Sequence, residues 1–176
     1  DGQFLLTAAM ARARAMGADR CVVVTSAEKA ALHERLMGDD DTLLVSTDRG
    51  LWAAIVQTFV FNEASLLVLP DTIFTPVEAI PRAPLAFGVF PTDAPERFSV
   101  VRDGTIITKH PGPSAHAWGC VAWDTDMIGF WRGKDYAHYD DAFRDAMRHF
   151  RHVLFPIADY HDMGNWAAYQ RYIAQQ

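Results

Sequence analysis

Two aspartates far apart in the chain, Asp71 and Asp162, have the residue type and the local setting for work on phosphate groups. Leu66 to Leu69 is a short unbroken apolar run, which suits a strand buried on both faces. Pro70 ends it, because a proline cannot donate to the ladder. Asp71 then stands just past the carboxyl end of that strand, where open α/β sheets bind their ligands. A carboxylate in that place can hold a hard cation against phosphate oxygens. Asp162 follows a second strand-like run, His152 to Ala158, within the turn Asp159 to Gly164. The alternative for both is a turn aspartate that caps the segment after it.

Composition narrows the classes. At 176 residues, with half of them hydrophobic and 22% charged, the chain can build one core, read as a single domain over 1–176. A formal charge of −6 argues against a nucleic-acid binder, which needs a basic face. Cys21 and Cys120 lie in apolar strand-like runs and are expected buried and reduced, with no disulfide framework. No apolar run reaches the ~20 residues that span a bilayer, and no secretory signal is visible, so the cytoplasm is the expected compartment. The first residue is Asp1, not methionine, and a helix follows almost at once; the natural protein is expected to be longer at its amino end.

The elements that must position the two acids follow from patterning. Helices are expected over 4–16, 27–37 and 51–62, with Ser26 as N-cap of the second and Gly17 and Gly38 as stops. Strands are expected over 20–25, 42–46 and 66–69. This β-α-β-α-β rhythm predicts right-handed crossovers and a doubly wound, mostly parallel front half. After Pro76 the rhythm changes. Strands are read at 84–90, 98–102, 105–109, 115–123 and 152–158, with Asp103-Gly104 as a hairpin turn. Helices are read at about 125–132, 139–150 and 165–174. The fold class is therefore α/β, a Rossmann-like mixed sheet with an antiparallel, hairpin-containing back half. Trp118, Trp123 and Trp166 are read as core residues.

Five blocks in order give the chain a resemblance to a known family. They are Leu66–Phe74 (Leu-Leu-Val-Leu-Pro-Asp-Thr-Ile-Phe), Gly88–Val101 with its Pro-Glu-Arg-Phe-Ser-Val-Val ending, Lys109, Ala117-Trp118-Gly119, and Tyr160–Trp166 (Tyr-His-Asp-Met-Gly-Asn-Trp). Together they resemble the sugar-nucleotidyltransferases, of the glucose-1-phosphate thymidylyltransferase type, over nearly the whole chain. The resemblance implies a nucleotidyltransferase fold of the GT-A kind and a magnesium-dependent enzyme. Its reaction would join a nucleoside triphosphate to a sugar 1-phosphate, release pyrophosphate and serve nucleotide-sugar biosynthesis. It implies Asp71 and Asp162 as magnesium ligands and Lys109 as the holder of the sugar phosphate. Gly50, Ser99, Thr108 and Gly119 fall at its substrate-binding positions. No membrane or nucleic-acid partner is implied, and any homo-oligomer would form through this domain.

The departures matter as much. Ser99 replaces a glycine, Thr108 a glutamate, His110 a proline and Asn165 a threonine, while Pro70 stands where glycine precedes the metal aspartate. The family's opening strand and glycine-rich loop lie upstream of Asp1, and a sheet without that central strand would expose two unpaired edges. Two other readings therefore stand beside the enzyme. One is a catalytically silent relative acting as a ligand-binding or assembly subunit. The other is a metal-dependent glycosyltransferase using Asp124 and Asp126, although one of these is read as a helix N-cap. Arg49 is read as a phosphate contact or a surface charge. His110 with His116, and His149 with His152, lack a third ligand at zinc spacing. Ile73 stands where a haloacid-dehalogenase phosphatase needs an aspartate, and neither Gly-x-Ser-x-Gly nor Gly-x-Gly-x-x-Gly occurs.

Overall fold

A computed structural model describes residues 5–48, 50–109 and 112–174. The expectations for Phe4, Arg49 and His110 fall outside these residues. In chain order the elements are α1 (Leu5–Ala15), β1 (Val22–Ser26), α2 (Ala27–Glu34), β2 (Thr42–Ser46), α3 (Leu51–Thr58) and β3 (Ser65–Val68). They continue with β4 (Thr72–Pro76), β5 (Leu85–Thr92), β6 (Ser99–Arg102), β7 (Thr105–Thr108), β8 (Ala115–Trp123), α4 (Thr125–Trp131), α5 (Tyr139–His149), β9 (His152–Asp162) and α6 (Trp166–Ile173). No helix among the described residues is long and apolar enough to cross a membrane.

The strands form two sheets of the expected mixed α/β class. β1 and β2 pair in parallel, Val22 opposite Thr42, as a two-stranded sheet of their own. The seven-stranded sheet runs β4-β9-β5-β8-β6-β7, with β3 also on β8. β3 and β6 lie one beyond the other along the same edge of β8, opposite Cys120–Trp123 and His116–Ala117 respectively. The parallel front half is thus confined to β1 and β2. β3 runs antiparallel to β8, and within the large sheet the parallel pair is β5 with β9. The reason is a gap: β1 and β3 face one another across a cavity and do not hydrogen-bond.

Both faces of the large sheet are covered. On one, Phe87, Val121 and Trp123 pack against Trp52 of α3, Met127 and Trp131 of α4 and Phe143 of α5. On the other, Phe74, Phe90, Cys120, Phe155 and Ile157 form a second cluster that Met16, just past α1, packs against. β8 serves both faces by alternation, Cys120 to one and Val121 and Trp123 to the other, and carries a bulge. Gly88 opposes Cys120 and Val89 opposes Trp118, so Gly119 is the extra residue. Gly88 is needed for close approach, since a Cβ there would stand 2.4 Å from Cys120 Sγ. Cys21 and Cys120 are buried free thiols, as expected. Trp118 and Trp123 are buried, but Trp166 is 69% exposed and is no core residue.

Three local features bear on the site. The segment after Pro70, to which the sequence reading assigned no strand, contains β4. Its prolines stand only at the margins, Thr72 and Phe74 point inwards, and it lies at the sheet edge, where a proline is tolerated. β9 likewise continues through Asp159–Asp162, where a turn was expected. Between Ile73/His161 and Thr75/Ala158 the register shifts, and Asp159, at φ 50°, absorbs the extra residue. Asp124 caps α4 by accepting from the N–H groups of Asp126 and Met127, which commits it to the helix rather than to an Asp-x-Asp metal site. Ser26 precedes α2 as foreseen, without a side-chain capping bond.

Candidate active site

The β4–β9 ladder brings the two distant aspartates together. Thr72, next to Asp71, lies directly opposite Asp162. The N–H of Met163 donates to the Asp71 carbonyl at 2.7 Å, so the backbone on either side is fixed. Both carboxylates border Gly164. A Cβ on that glycine would sit 3.0 Å from Asp162 Oδ1 and 3.4 Å from Asp71 Oδ2. The Gly164 N–H itself donates to Asp162 Oδ1 at 2.8 Å. Asn165 then caps α6 by accepting from the Ala168 N–H at 2.9 Å. Its replacement of threonine therefore retains a side-chain acceptor at the N-cap.

Two residues that the motifs did not single out complete the surroundings. Arg97, from the short turn before β6, donates to Asp162 Oδ2 at 3.0 Å with its guanidinium half exposed. Tyr160 stacks on Phe90 with ring centroids 3.7 Å apart and meets Phe98 edge-on. Burial, then the charges of Asp162 and Asp71, push its phenol well above the ordinary tyrosine range. Arg97 lies within the Pro-Glu-Arg block and Tyr160 two residues before Asp162, so strand alternation around Asp162 was the available signal for Tyr160.

A cavity of about 720 Å³ opens over Asp71, bordered by Gly164, Asn165, Trp166 and Tyr169 on one side and by Val24, Lys29 and His33 on the other. It lies at the carboxyl ends of β1 and β3, the position at which open α/β sheets take ligands. Among the described residues no group of three or more His, Cys, Asp or Glu side chains gathers as a metal cage. A pair of carboxylates with room beside it is instead the donor set that suits magnesium, which keeps waters and substrate phosphates as its other ligands.

The other expected site residues divide. Lys109 is exposed at the end of β7, in the left-handed conformation (φ 48°), its N–H donating to the Phe98 carbonyl at 3.0 Å. Since Phe98 touches Tyr160 and adjoins Arg97, Lys109 stands at the same end of the sheet as Asp162. Ser99 and Thr108 face each other across the β6–β7 hairpin. Their hydroxyls both donate to Oδ2 of Asp140, a fully buried carboxylate in the first turn of α5, at 2.5 and 2.6 Å. They tie the hairpin to the helix. Gly119 is a packing position: a Cβ would lie 2.7 Å from both Ile157 Cδ1 and the Tyr160 ring. Gly50 precedes α3 at φ +151°, a conformation that favours glycine, and does not border the cavity over Asp71.

No protein-family model matches the sequence, and no curated protein matches it either. Solved structures do. A Bacillus anthracis protein assigned as a glucose-1-phosphate thymidylyltransferase, in complex with sucrose, superposes with a TM-score of 0.79 at 17% identity, over 97% of this chain and 81% of that one. UDP-glucose pyrophosphorylase from Acinetobacter baumannii gives 0.77 at 10% identity, over 97% and 81%. The inositol-1-phosphate CTP transferase from T. maritima gives 0.73 at 14% identity, over 93% and 78%.

The chain has the nucleotidyltransferase fold. At these identities the likeness is one of architecture, and the nucleotidyltransferase fold supplies the frame in which Asp71 and Asp162 meet.

Proposed function

We propose that the protein is a magnesium-dependent nucleotidyltransferase that joins a nucleoside triphosphate to a sugar 1-phosphate. The observation that carries this reading is the convergence of Asp71 and Asp162 on Gly164, beside a cavity at the carboxyl ends of two strands. In the reaction a phosphate oxygen of the sugar 1-phosphate attacks the α-phosphorus of the triphosphate. The bond to the bridging oxygen breaks, and pyrophosphate leaves with that electron pair. Such a step depends on holding two anions in line and on neutralising charge as it moves between them.

Asp71 and Asp162 are the residues that would hold magnesium, which when bound supplies a Lewis acid for phosphate oxygens. Arg97 orients Asp162 and adds a positive charge near it. Lys109, at the end of β7, would hold the sugar phosphate as a point charge. Ser99 and Thr108 are engaged by Asp140 and Gly119 is packed, so on this reading these three shape the sugar site through the backbone and neighbours they hold.

Pyrophosphate exchange tests the reading. The full-length protein, supplied with magnesium, each common nucleoside triphosphate and a set of sugar 1-phosphates, should exchange labelled pyrophosphate into triphosphate. Asp71→Asn and Asp162→Asn should each reduce exchange by about a hundredfold or more, the scale of losing one charge-stabilising group. One observation favours the silent-relative reading: Asp162 already has a cationic partner in Arg97. That reading predicts no exchange with any pair, and no gain on Arg97→Ala.

A further inference from the structure

Asp140 is a buried carboxylate without a cation. It stands in the first turn of α5, fully enclosed. Its Oδ2 accepts from both hydroxyls of the β6–β7 hairpin, and its Oδ1 meets no donor among the described residues. His138 Nδ1 lies 3.6 Å from Oδ2. That nitrogen accepts from the Asp140 N–H as the cap of α5, so it offers a lone pair there and not a charge. No lysine or arginine pairs with Asp140 among the described residues. A carboxylate desolvated in this way is a poor source of stability. What it supplies is direction, because one oxygen ties down two strands.

The tie falls at a particular end of the hairpin. Ser99 begins β6 and Thr108 ends β7, at the opposite end from the Asp103-Gly104 turn. Both cations of the neighbourhood leave the hairpin there. Arg97, two residues before Ser99, reaches Asp162 Oδ2 at 3.0 Å. Lys109, next after Thr108, takes the left-handed conformation at φ 48°, which a side chain adopts only when its surroundings impose it. Its N–H bond to the Phe98 carbonyl and the Thr108–Asp140 bond beside it are those surroundings. A second contact keeps the helix in register: Arg144 Nε donates to the Ile106 carbonyl at 2.9 Å. Asp140 to Arg144 is about 6 Å along a helix, and Thr108 back to Ile106 is about 6.6 Å along a strand. α5 therefore runs against the direction of β7 and grips it at two matched points. Tyr139, meeting Trp118 edge-on, seats the same helix start on β8.

We propose that Asp140 is a positioning residue of the transferase. By holding both strands at the open end of the hairpin, it sets where Lys109 meets the sugar phosphate. The inference rests on the transferase reading and assigns a role that the two aspartates do not have. A holding group displaced by about 1 Å can cost up to about a hundredfold in rate, so a distant tie of this kind is felt at the phosphate.

Steady-state kinetics on the full-length protein test it. Asp140→Ala should lower kcat/KM for the sugar 1-phosphate by about tenfold or more, with KM for the triphosphate unchanged. Asp140→Asn retains one oxygen able to accept from both hydroxyls and loses no cationic partner, so it should restore kcat/KM. In a Lys109→Ala background Asp140→Ala should cost almost nothing further, because the group it positions is gone. Should Asp140→Ala fail to fold, Thr108→Val, nearly the same shape, must give the same selective loss. Equal losses for both substrates, full additivity with Lys109→Ala, or no rescue by asparagine overturns the proposal. Amide exchange read by NMR without substrates supplies an arm that needs no chemistry. There Asp140→Ala should speed exchange of the Lys109 N–H by about tenfold or more and leave the Met163 N–H, which is tied to Asp71, as it was. Unchanged Lys109 exchange overturns the tie itself. A parent protein without activity, with Lys109 exchange still quickened by Asp140→Ala, instead overturns the transferase reading and leaves Asp140 as a clamp with no reaction to serve.

Discussion

Gly119→Ala separates a packing glycine from a substrate-contacting one. The added Cβ would lie 2.7 Å from Ile157 Cδ1 and 2.7 and 2.9 Å from two Tyr160 ring carbons, well inside van der Waals contact. Neither neighbour can yield cheaply. Ile157 is buried, and the Tyr160 ring is held between the stacked Phe90 and the edge-on Phe98. Overpacking of this kind costs about 1–3 kcal/mol, and with three close atoms about 2 kcal/mol is the expected value. For a chain of this size that lowers the melting temperature by about 4–8 °C. Calorimetry or circular dichroism measures it directly. Ile157→Val removes one of the three contacts, so the double variant should recover part of the loss relative to the sum of the single ones. If Gly119→Ala melts within a degree of the parent while weakening substrate binding, Gly119 meets a ligand rather than Tyr160, and the account of β8 given above is wrong.

Three further outcomes are expected. Gly164→Ala places a methyl 3.0 Å from Asp162 Oδ1 and 3.4 Å from Asp71 Oδ2, so pyrophosphate exchange should fall about tenfold or more while stability changes by less than about 1 kcal/mol. Unchanged exchange would remove the space between those carboxylates from the mechanism. Asp41 accepts from the N–H groups of Cys21 and Gly38, each at 2.9 Å, and from Arg14 at 2.6 and 2.7 Å. Burial alone would raise its pKa, and these donors together bring it below the usual range. Asp41→Ala should therefore cost about 2–4 kcal/mol in urea unfolding, the scale of several bonds to a charged acceptor. Asp145 accepts from the Tyr136 hydroxyl and from Lys134 at 3.1 Å, and its pKa is depressed mainly by the tyrosine. A depressed carboxylate stabilises fully above its unfolded value near 4 and loses that contribution as pH falls through the folded value. Tyr136→Phe should thus cost about 1 kcal/mol at pH 6 and progressively less below pH 4; a penalty unchanged at pH 2 would refute the assignment.

Much of this architecture is legible in the residues, and the exceptions have physical causes. Apolar runs and their stops located nearly every element, because burial sets the pattern and Gly, Pro and Asp-Gly punctuate it. β4 was missed because two prolines flank it, and edge strands tolerate what central ones do not. The last turn of sequence before Gly164 is strand, since a single left-handed residue, Asp159, lets β9 absorb a misfit and continue. Asp71 and Asp162 could be named from their places after strands. Their meeting was implied by the family resemblance alone, because it depends on register between β4 and β9, which no local signal encodes. Ser99 and Thr108 have a tie that the sequence did not show: the fold gives both a buried partner, Asp140, from a helix more than 30 residues further on. Arg97 lay within a quoted block, but its tie to Asp162 did not show in the sequence, as that partner lies 65 residues away.

The two thiols give the chain a pair of internal clocks. Cys120 is wholly enclosed beside Gly88, and burial pushes its thiol up to about 12, so alkylation there must wait for the large sheet to come apart. Cys21 sits beneath α1, just before β1, its thiol also raised by burial, and it reports on the opening of that layer alone. Comparing the two labelling rates in one sample shows whether the β1–β2 unit swings free of the rest before the whole molecule unfolds. Anything that seals the cleft between the layers should draw the faster rate down toward the slower.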